Sequence, residues 1–367
     1  MSSFALAFPP RARPVIRSLL QQRIDDWMQL SFRHELLVAR AVRGLQIEAT
    51  ARFDAVVVRP MLREIGARLA TLQLRTGNLL RDTMPEVMSL RDAIEKVAAQ
   101  GTDQIRRVTE DRMAEIARGE VRWIGQTMSV LDKKFGAGTA TPFGEGVVNA
   151  AGFDAKRTLW LGDSTEKWFE SMLQQPTADR TRAWVTTGIQ EGLTVDEITR
   201  GLVGTRTQTG VLEKPREAVN TLVRTSATHA SAIGRTEAFK SLGVKWWRFV
   251  ATLDSKTSLQ CAAHDGEIFP IGEGPMPPLH PNCRSVMTPA FSENEEPIGT
   301  RASIDGQVPA TTTFSDWIEK MPAGEQDKWF GKAKGAAFRA GKVALKDLLG
   351  RDLQPLTLSE LRDLERL

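Results

Sequence analysis

The feature that most constrains this chain is the position of its soft metal-binding side chains. Both cysteines and two of the four histidines of the 367-residue sequence fall within residues 253–285. Together with one aspartate they have the spacing D-x6-C-x18-H-x2-C, formed by Asp254, Cys261, His280 and Cys283. Because two cysteines cannot build a disulfide scaffold in a chain of this length, the clustering needs another explanation.

This spacing predicts a zinc site. His280 and Cys283 can face one ion when the backbone turns between them, and the proline that follows the histidine favours such a turn. Cys261 would supply a second thiolate, and Asp254 would complete a tetrahedron around Zn²⁺, with His264 as the alternative fourth ligand. A closed site of this kind would stabilise a small domain that has too little hydrophobic core of its own.

Three other interpretations of the same residues stay open. The two cysteines can form a disulfide, although a reducing compartment disfavours it. They can be unrelated thiols in a hydrophobic core, which is the commonest fate of lone cysteines. A bound ion can also be catalytic, with water in its fourth position.

The known catalytic patterns fit the sequence poorly. It contains neither the H-x-E and P-C-x-x-C pair of nucleobase deaminases nor the H-E-x-x-H helix of metalloproteases. It also lacks a G-x-x-x-x-G-K-[ST] phosphate loop and a G-x-S-x-G elbow. A nuclease that uses His280 and Asn282 around an ion would need a second catalytic histidine or carboxylate. His34 and His229 lie in helical patterns and are expected at the surface or satisfied in a core.

Hydrophobic periodicity predicts a mainly α fold with a small α+β C-terminal domain. Apolar residues recur at steps of three and four through most of residues 1–135, as in Leu62, Ile65 and Leu69, which predicts long N-terminal helices. We expect one of these helices to end just before Pro60. The pattern changes after Gly243, where three short aromatic and β-branched runs predict a small metal-stapled β-sheet, followed by a helical tail.

These patterns divide the chain into six parts. They are a helical N-terminal region for docking on a partner (1–135), a linker (136–150), a second helical part (151–243), a small α+β part expected to bind zinc (244–292), a second linker (293–313) and the helical tail (314–367). Capping boxes are predicted at Asp163, Thr194 and Thr357.

Positive charge is concentrated near the N-terminus. Residues 1–81 contain thirteen arginines, no lysine and six acidic residues, whereas the whole chain has a net charge of only +4. We expect these helices to contact nucleic acid or an acidic protein surface, unless they form a solvated helix face. The arginines expected to make the contact are Arg11, Arg13, Arg17 and Arg23. No stretch has the roughly 20 apolar residues of a membrane span, which favours a protein that stays in the cytoplasm or is packaged from there.

Several motifs occur in an order that resembles the phage head morphogenesis family, the Mu F-like minor head proteins. They are "GRTEAF" (234–239), the Trp and Asp of "WRFVATLDSKT" (247–257), Cys261, "DGEIFPIG" (265–272) and "PPLHPNCRS" (277–285). The resemblance covers roughly residues 150–290, and the helical tail also looks like the segment that often follows this domain. Two positions depart from the family pattern: Ser285 stands where a further cysteine is frequent, and Lys256 where an arginine is frequent.

The resemblance implies a structural minor component of a tailed-phage head rather than an enzyme. Such a protein would bind the portal protein, and the major capsid or scaffolding protein, in several copies around the portal. It would act in procapsid assembly in the host cytoplasm, remain in the virion near the portal vertex, and contribute to genome packaging or ejection. A metal-dependent nuclease or a DNA-binding protein that uses the same Cys/His cluster is the alternative.

The resemblance also implies roles for individual residues. It supports Asp254, Cys261, His280 and Cys283 as one cluster. A buried pair from the helical turn of Arg235 and Glu237 would fix the last long helix against the strand, unless these residues form a surface salt bridge of little consequence. Arg284 follows a ligand and would donate to a thiolate or a carbonyl.

Overall fold

The computed structural model describes most of the chain after the first 32 residues. The described residues are 33–35, 37–76, 85–135, 145–154, 156, 163–290, 292–297 and 299–364. Within them the protein is mainly helical with a small antiparallel sheet near the C-terminal end, which confirms the predicted fold class. The predicted contact residues Arg11, Arg13, Arg17 and Arg23 lie outside the described residues, as does the part of the first linker from 136 to 144.

The first described helices form one nearly continuous rod. Helix α1 covers residues 37–53, a π-helical turn covers Asp54–Val58, and α2 covers Arg59–Thr76. The prediction that a helix ends before Pro60 is therefore wrong. The wide turn places Pro60 in the first turn of α2, where a missing N–H is tolerated, and so the chain passes through it.

The longest element is α3, Pro85–Phe135. At the usual rise its 51 residues span about 77 Å. One apolar stripe faces α2 and a later helix, Glu213–Ser241, and its fully buried members include Leu90, Ile94, Ile105, Met113, Val121 and Ile124. A helix of this length is held by such tertiary packing rather than by its own propensity.

Shorter helices follow. They are α4 (Glu145–Ala150), α5 (Thr165–Phe169), a π-helical turn (Glu170–Gln174), α6 (Gln175–Gln190), α7 (Val195–Val203) and α8 (Glu213–Ser241). The capping box of Thr194 is confirmed, whereas α5 is capped by Ser164 and not by the predicted Asp163. Gly243 has a φ of 69° and ends α8, as predicted, because a left-handed residue reverses the chain there.

The sheet has three short antiparallel strands in the order β2-β1-β3. Its strands are β1 (Trp246–Val250), β2 (Ile268–Pro270) and β3 (Val286–Ala290), with a short helix α9 (Leu259–His264) between β1 and β2. Trp247 and Phe249 of β1 are fully buried and pack with the helices, so the sheet and the N-terminal helices share one core.

The C-terminal part has a second core. It contains β4 (Thr300–Ser303), β5 (Gly306–Pro309), α10 (Phe314–Glu319), α11 (Ala323–Phe330), α12 (Lys332–Arg339), a 3₁₀ turn (Leu345–Leu348) and α13 (Leu358–Asp363). The predicted linker of residues 293–313 thus includes a β-hairpin, β4–β5. Helix α9 lies between the two cores, because its Cys261 packs in the first while Ala262 and Ala263 pack in the second.

None of the helices in the described ranges is both long enough and apolar enough to span a membrane.

Candidate metal centre

Three of the predicted ligands meet at the end of the sheet, and different elements position them. Cys261 is in the first turn of α9, whose N-terminus is capped by Ser258: its Oγ accepts a hydrogen bond from the Cys261 N–H at 3.2 Å. His280 and Cys283 stand in the loop between β2 and β3. The predicted turn is present there, with the Cys283 N–H donating to the His280 carbonyl at 3.1 Å.

Helix α8 holds this turn in place. Asn282 has a φ of 63°, and its N–H donates to Thr225 Oγ1 at 2.9 Å. One helical turn further on, Thr228 Oγ1 donates to the carbonyl of Cys283 at 2.9 Å. The loop that carries two ligands is therefore fastened to the main helical core by two buried or half-buried threonines.

The distances between the ligand atoms fit a tetrahedral ion. The sulfurs of Cys261 and Cys283 are 3.7 Å apart, and Nε2 of His280 is 3.2 Å from the Cys261 sulfur. With bonds of 2.3 Å to sulfur and about 2.0 Å to nitrogen, a tetrahedral Zn²⁺ requires separations of about 3.8 and 3.6 Å. All three atoms lie within 4.8 Å of one another. The cluster can hold a metal ion with little movement.

The orientation of His280 also suits a ligand. Its Nδ1 lies 2.8 Å from the carbonyl oxygen of Pro281, so Nδ1 carries the proton and donates. When Nε2 loses its proton, its lone pair is directed at the sulfurs. Both cysteines are buried and their sulfurs are not bonded to each other, so the structure does not contain the disulfide of the alternative interpretation.

Electrostatics in the cluster favour one shared negative charge. The hydrogen bond between the two sulfurs and burial raise the pKa of the Cys261 thiol well above its ordinary value. The same hydrogen bond lowers the pKa of Cys283 well below it, helped by His280 against the effect of burial. Burial opposes protonation of His280, but the Cys283 thiolate outweighs burial and raises the imidazole pKa. Without a metal, the protons shared between the two sulfurs and the imidazole stabilise this cluster. A divalent cation that bound the same three atoms would displace these protons.

The structure does not bring Asp254 into the cluster. Its carboxylate is instead held by both terminal nitrogens of Arg284, at 2.5 and 2.7 Å, and this arginine lowers the pKa of Asp254. A bidentate guanidinium competes for the oxygens that an ion would need. Arg284, predicted to donate to a thiolate or a carbonyl, therefore donates to this carboxylate.

The alternative fourth ligand is also elsewhere. Nδ1 of His264 lies 2.6 Å from a carboxylate oxygen of Glu267, and its ring packs near Phe249 and Phe269. Ser285, at the position where the family often has a cysteine, is buried and hydrogen-bonds to the Cys261 sulfur. Among the described residues, three protein ligands converge rather than four.

Arg235 joins the helices to the sheet. It is 93% buried, donates to the carbonyl of Met287 in β3 at 3.1 Å, and pairs with Glu120 of α3 at 3.3 Å. It also contacts Glu35. Its sequence neighbour Glu237 takes no part in this junction and pairs with Lys240 at the surface.

Gly234 makes the junction possible. A Cβ at this position would lie 2.3 Å from the carbonyl oxygen of Ala117 and 2.8 Å from Cβ of Glu120. The glycine thus lets α8 approach α3 closely enough for Arg235 to reach Glu120. Sequence reasoning identified the motif but not this packing role.

A second buried pair was missed entirely. Asp265 follows α9 and accepts hydrogen bonds from both terminal nitrogens of Arg301 in β4, at 2.8 and 3.0 Å. The only signal in the sequence was an aspartate and an arginine in apparently polar loops, which is indistinguishable from surface charge.

The fold and the site together define a helical protein with a small sheet that carries a Cys₂His cluster, whose two cysteines are buried and whose histidine is partly exposed. The family model described as phage Mu protein F like protein matches residues 179–288. The match begins in α6 and ends in β3, and it includes Arg235 and all three cluster residues. It confirms the predicted resemblance over this segment. No curated protein and no solved structure matches the chain.

Proposed function

We propose that this chain is a structural minor head protein of a tailed bacteriophage that acts in procapsid assembly. The observation that carries the proposal is the family match, which suggests a phage head morphogenesis protein and covers the segment with the Cys₂His cluster. The role is structural rather than catalytic, because the matched segment supplies buried junctions and a buried cluster more than an active-site constellation.

The docking part is the N-terminal region outside the match. We propose that its arginine-rich helices bind the portal protein, or the inner surface formed by the major capsid or scaffolding protein. Several copies would surround the portal in the virion, after assembly in the host cytoplasm. The concentration of thirteen arginines in residues 1–81 supports an acidic partner surface.

Co-purification with the portal tests this role. Co-expressed full-length chain and portal protein are expected to sediment together as a ring-shaped assembly, and a variant with Arg11, Arg13, Arg17 and Arg23 replaced by Gln is expected to sediment separately. The control carries four Gln substitutions at exposed basic positions: Arg180, Arg206, Lys342 and Arg351. A wild-type chain that never sediments with the portal would contradict the docking role.

We further propose that the cluster holds one structural Zn²⁺. Two thiolates and one imidazole form a donor set that suits zinc, and Cys261, His280 and Cys283 come from two segments that the ion would fasten together. Because α9 also packs against the C-terminal core, the ion would stabilise the contact between the two cores.

Metal analysis of the purified chain tests the site. We expect about one zinc per chain, a lower melting temperature after chelation, and loss of zinc in Cys283→Ser. The matched control is Ser285→Ala, which alters a neighbouring buried hydroxyl and should retain the metal. Equal melting temperatures for zinc-loaded and zinc-free chains would rule out a structural role.

One observation favours a second candidate, a metal-dependent nuclease. Three protein ligands leave one coordination position for water, as in catalytic zinc sites. This candidate predicts that the wild-type chain cleaves DNA and that His280→Ala abolishes cleavage with the fold retained. If the wild-type chain leaves DNA intact with Zn²⁺, Mn²⁺ and Mg²⁺, the nuclease is excluded.

A further inference from the structure

An open cleft of about 490 Å³ lies beside the candidate metal centre. Parts of the chain that are distant in sequence form its walls: α1, α8, the segment that follows β1, and the loop between β2 and β3. Four permanently charged basic side chains line it: Arg43, Arg224, Lys256 and Arg284. The edge of His280 also faces it.

Three of the four cations that line the cleft have no compensating acidic partner among the described residues. No acidic residue is among the described residues that line it. Arg284 is neutralised by Asp254, which lies outside the lining. The other three cations, Arg43, Arg224 and Lys256, are exposed and form no ion pair within the part of the chain that the structure describes. Like charges gathered around one concavity create a potential that attracts an anion.

The neutral walls of the cleft are held by hydrogen bonds to one another. Gln46 donates to the carbonyl of Asn220 at 2.9 Å, and Nδ2 of Asn282 donates to Thr221 Oγ1 at 3.1 Å. These bonds fix α1 and the metal-site loop against α8. These hydrogen bonds thus fix the backbone segments that carry the cations before any ligand binds. The exposed charged ends of the cationic side chains can still contact a ligand.

The lining indicates which anion would fit. It contains no Trp or Phe on which a base could stack, and Pro281 is its one apolar member among the described residues. Proteins that bind single strands use aromatic stacking, whereas contacts to a duplex backbone use Arg, Lys and neutral donors. Arginine suits phosphate because its guanidinium donates two parallel hydrogen bonds.

We propose that this cleft binds the phosphate backbone of double-stranded DNA without sequence preference. It is a separate contact from the N-terminal arginines, and it does not depend on docking at the portal. A structural head protein with this cleft would touch the packaged duplex through the face that carries the Cys₂His cluster.

The test uses the full-length chain and a labelled DNA duplex. The triple variant Arg43→Gln, Arg224→Gln, Lys256→Gln removes the three unpaired cations and should fold normally, because all three are exposed. Each lost phosphate contact lowers the slope of log affinity against log salt by about 0.9, so we expect the slope to fall by about 2–3. At about 100 mM salt the affinity should fall at least about tenfold.

A matched control keeps the total charge change the same. It replaces Arg206, Lys342 and Arg351, which are exposed and outside the cleft, by Gln. If both triple variants lose the same affinity and slope, binding reflects overall charge and the proposal is overturned. Circular dichroism and melting curves of both variants confirm that each is folded.

Two competitors separate the sources of negative charge. Inorganic phosphate binding to the wild type, with an unchanged DNA slope in the cleft variant, would assign the cleft to free phosphate and overturn the DNA assignment. Poly-glutamate that displaces DNA equally well at equal charge would assign it to an acidic protein, with the same consequence. Competition by unlabelled duplex of unrelated sequence, and weak competition by both other probes, supports the proposal. Because the portal is absent from this assay, its result is independent of the docking experiment.

Discussion

Two buried arginines connect the small sheet to the rest of the molecule, and they do so differently. Arg235 connects β3 to the helices that precede the sheet, through Glu120 of α3 and the carbonyl of Met287. Arg301 connects the sheet to the C-terminal part, through Asp265 and the carbonyls of Ala251 and Thr312. Both satisfy a carboxylate that is almost completely buried.

The two junctions differ in the groups that donate hydrogen bonds to the buried carboxylate. Within the described residues, the polar contacts of the Glu120 carboxylate come from side chains, namely Arg235, Ser231 and His34. Asp265 also accepts the backbone N–H groups of Ala251 and Phe314, both at 2.7 Å. The Arg235–Glu120 junction therefore connects packed helices that have a large core beside them. The Arg301–Asp265 junction instead organises the backbone of two segments that have few other contacts. We expect the second junction to be more sensitive to substitution.

The largest effect is expected for Asp265→Ala. The substitution leaves two buried N–H groups and Arg301 without their acceptor, so the free energy of unfolding should fall by about 5 kcal/mol. The matched control is Asp316→Ala, an exposed carboxylate that caps α10 and should cost about 1 kcal/mol. Guanidinium titration followed by tryptophan fluorescence measures both. Equal losses of unfolding free energy in the two variants would show that the buried carboxylate of Asp265 contributes no more to stability than the exposed carboxylate of Asp316.

Arg235→Met should be the next most damaging change. Among the described residues it leaves the buried Glu120 carboxylate with Ser231 and His34 as polar partners, and we expect a loss of about 3 kcal/mol. Adding Glu120→Gln to the same chain should recover part of the loss, because the uncompensated charge is gone. A double-mutant cycle measures the coupling between the two residues. Strictly additive losses would mean that the two side chains do not depend on each other.

Gly234→Ala tests the packing that brings the first junction together. The added methyl would meet the Ala117 carbonyl and the Glu120 side chain, and we expect a loss of about 2 kcal/mol. In contrast, Gly66→Ala in α2 has open space around its new Cβ and should stabilise the helix by about 0.5–1 kcal/mol. Thermal melts of the two variants should move in opposite directions. Stabilisation of both variants would show that helix propensity alone decides.

The pH dependence of stability should separate the first junction from the bulk of the carboxylates. Burial by itself would raise the pKa of Glu120, but the charge of Arg235 and the contacts of His34 and Ser231 outweigh it, so the pKa is lowered. A lowered folded-state pKa means that the stabilisation is present above the unfolded pKa of about 4.3 and is lost as pH falls through the folded value. Wild type should therefore lose more stability on acidification than Glu120→Gln. The control is Glu115→Gln, an exposed position on the same helix; an acid response of Glu120→Gln that equals that of wild type would contradict the assignment.

Local patterns predicted a good part of this molecule. The strands around Trp247, the turn at "HPNC" and the end of α8 at Gly243 follow from residue types within a few positions of one another. The grouping of Cys261, His280 and Cys283 was also accessible, because thiols and imidazoles are rare in this chain and their clustering is informative.

Long-range pairing could not be read from the sequence. A carboxylate near two thiols can bind a metal ion or form an ion pair with an arginine. Only the fold shows that the Asp254 carboxylate is paired with Arg284. The buried partner of Arg235, Glu120, lies 115 residues away in α3. The sequence therefore directed attention to the nearby Glu237, which is not part of the junction. The β4–β5 hairpin was missed because its few apolar residues give no clear alternation.

The smallest effect is expected at Glu237, and it bears directly on that choice. Glu237 forms a pair with Lys240 one helical turn away, at 3.0 Å and open to solvent, so it gains little over hydration. Glu237→Gln should change the free energy of unfolding by less than about 0.5 kcal/mol. Glu120→Gln, the same chemical change at the buried partner of Arg235, should cost several times more. If the two variants lose equal stability, the junction between α8 and the sheet involves Glu237 after all, and the contrast between the buried Glu120 and the more exposed Glu237 fails.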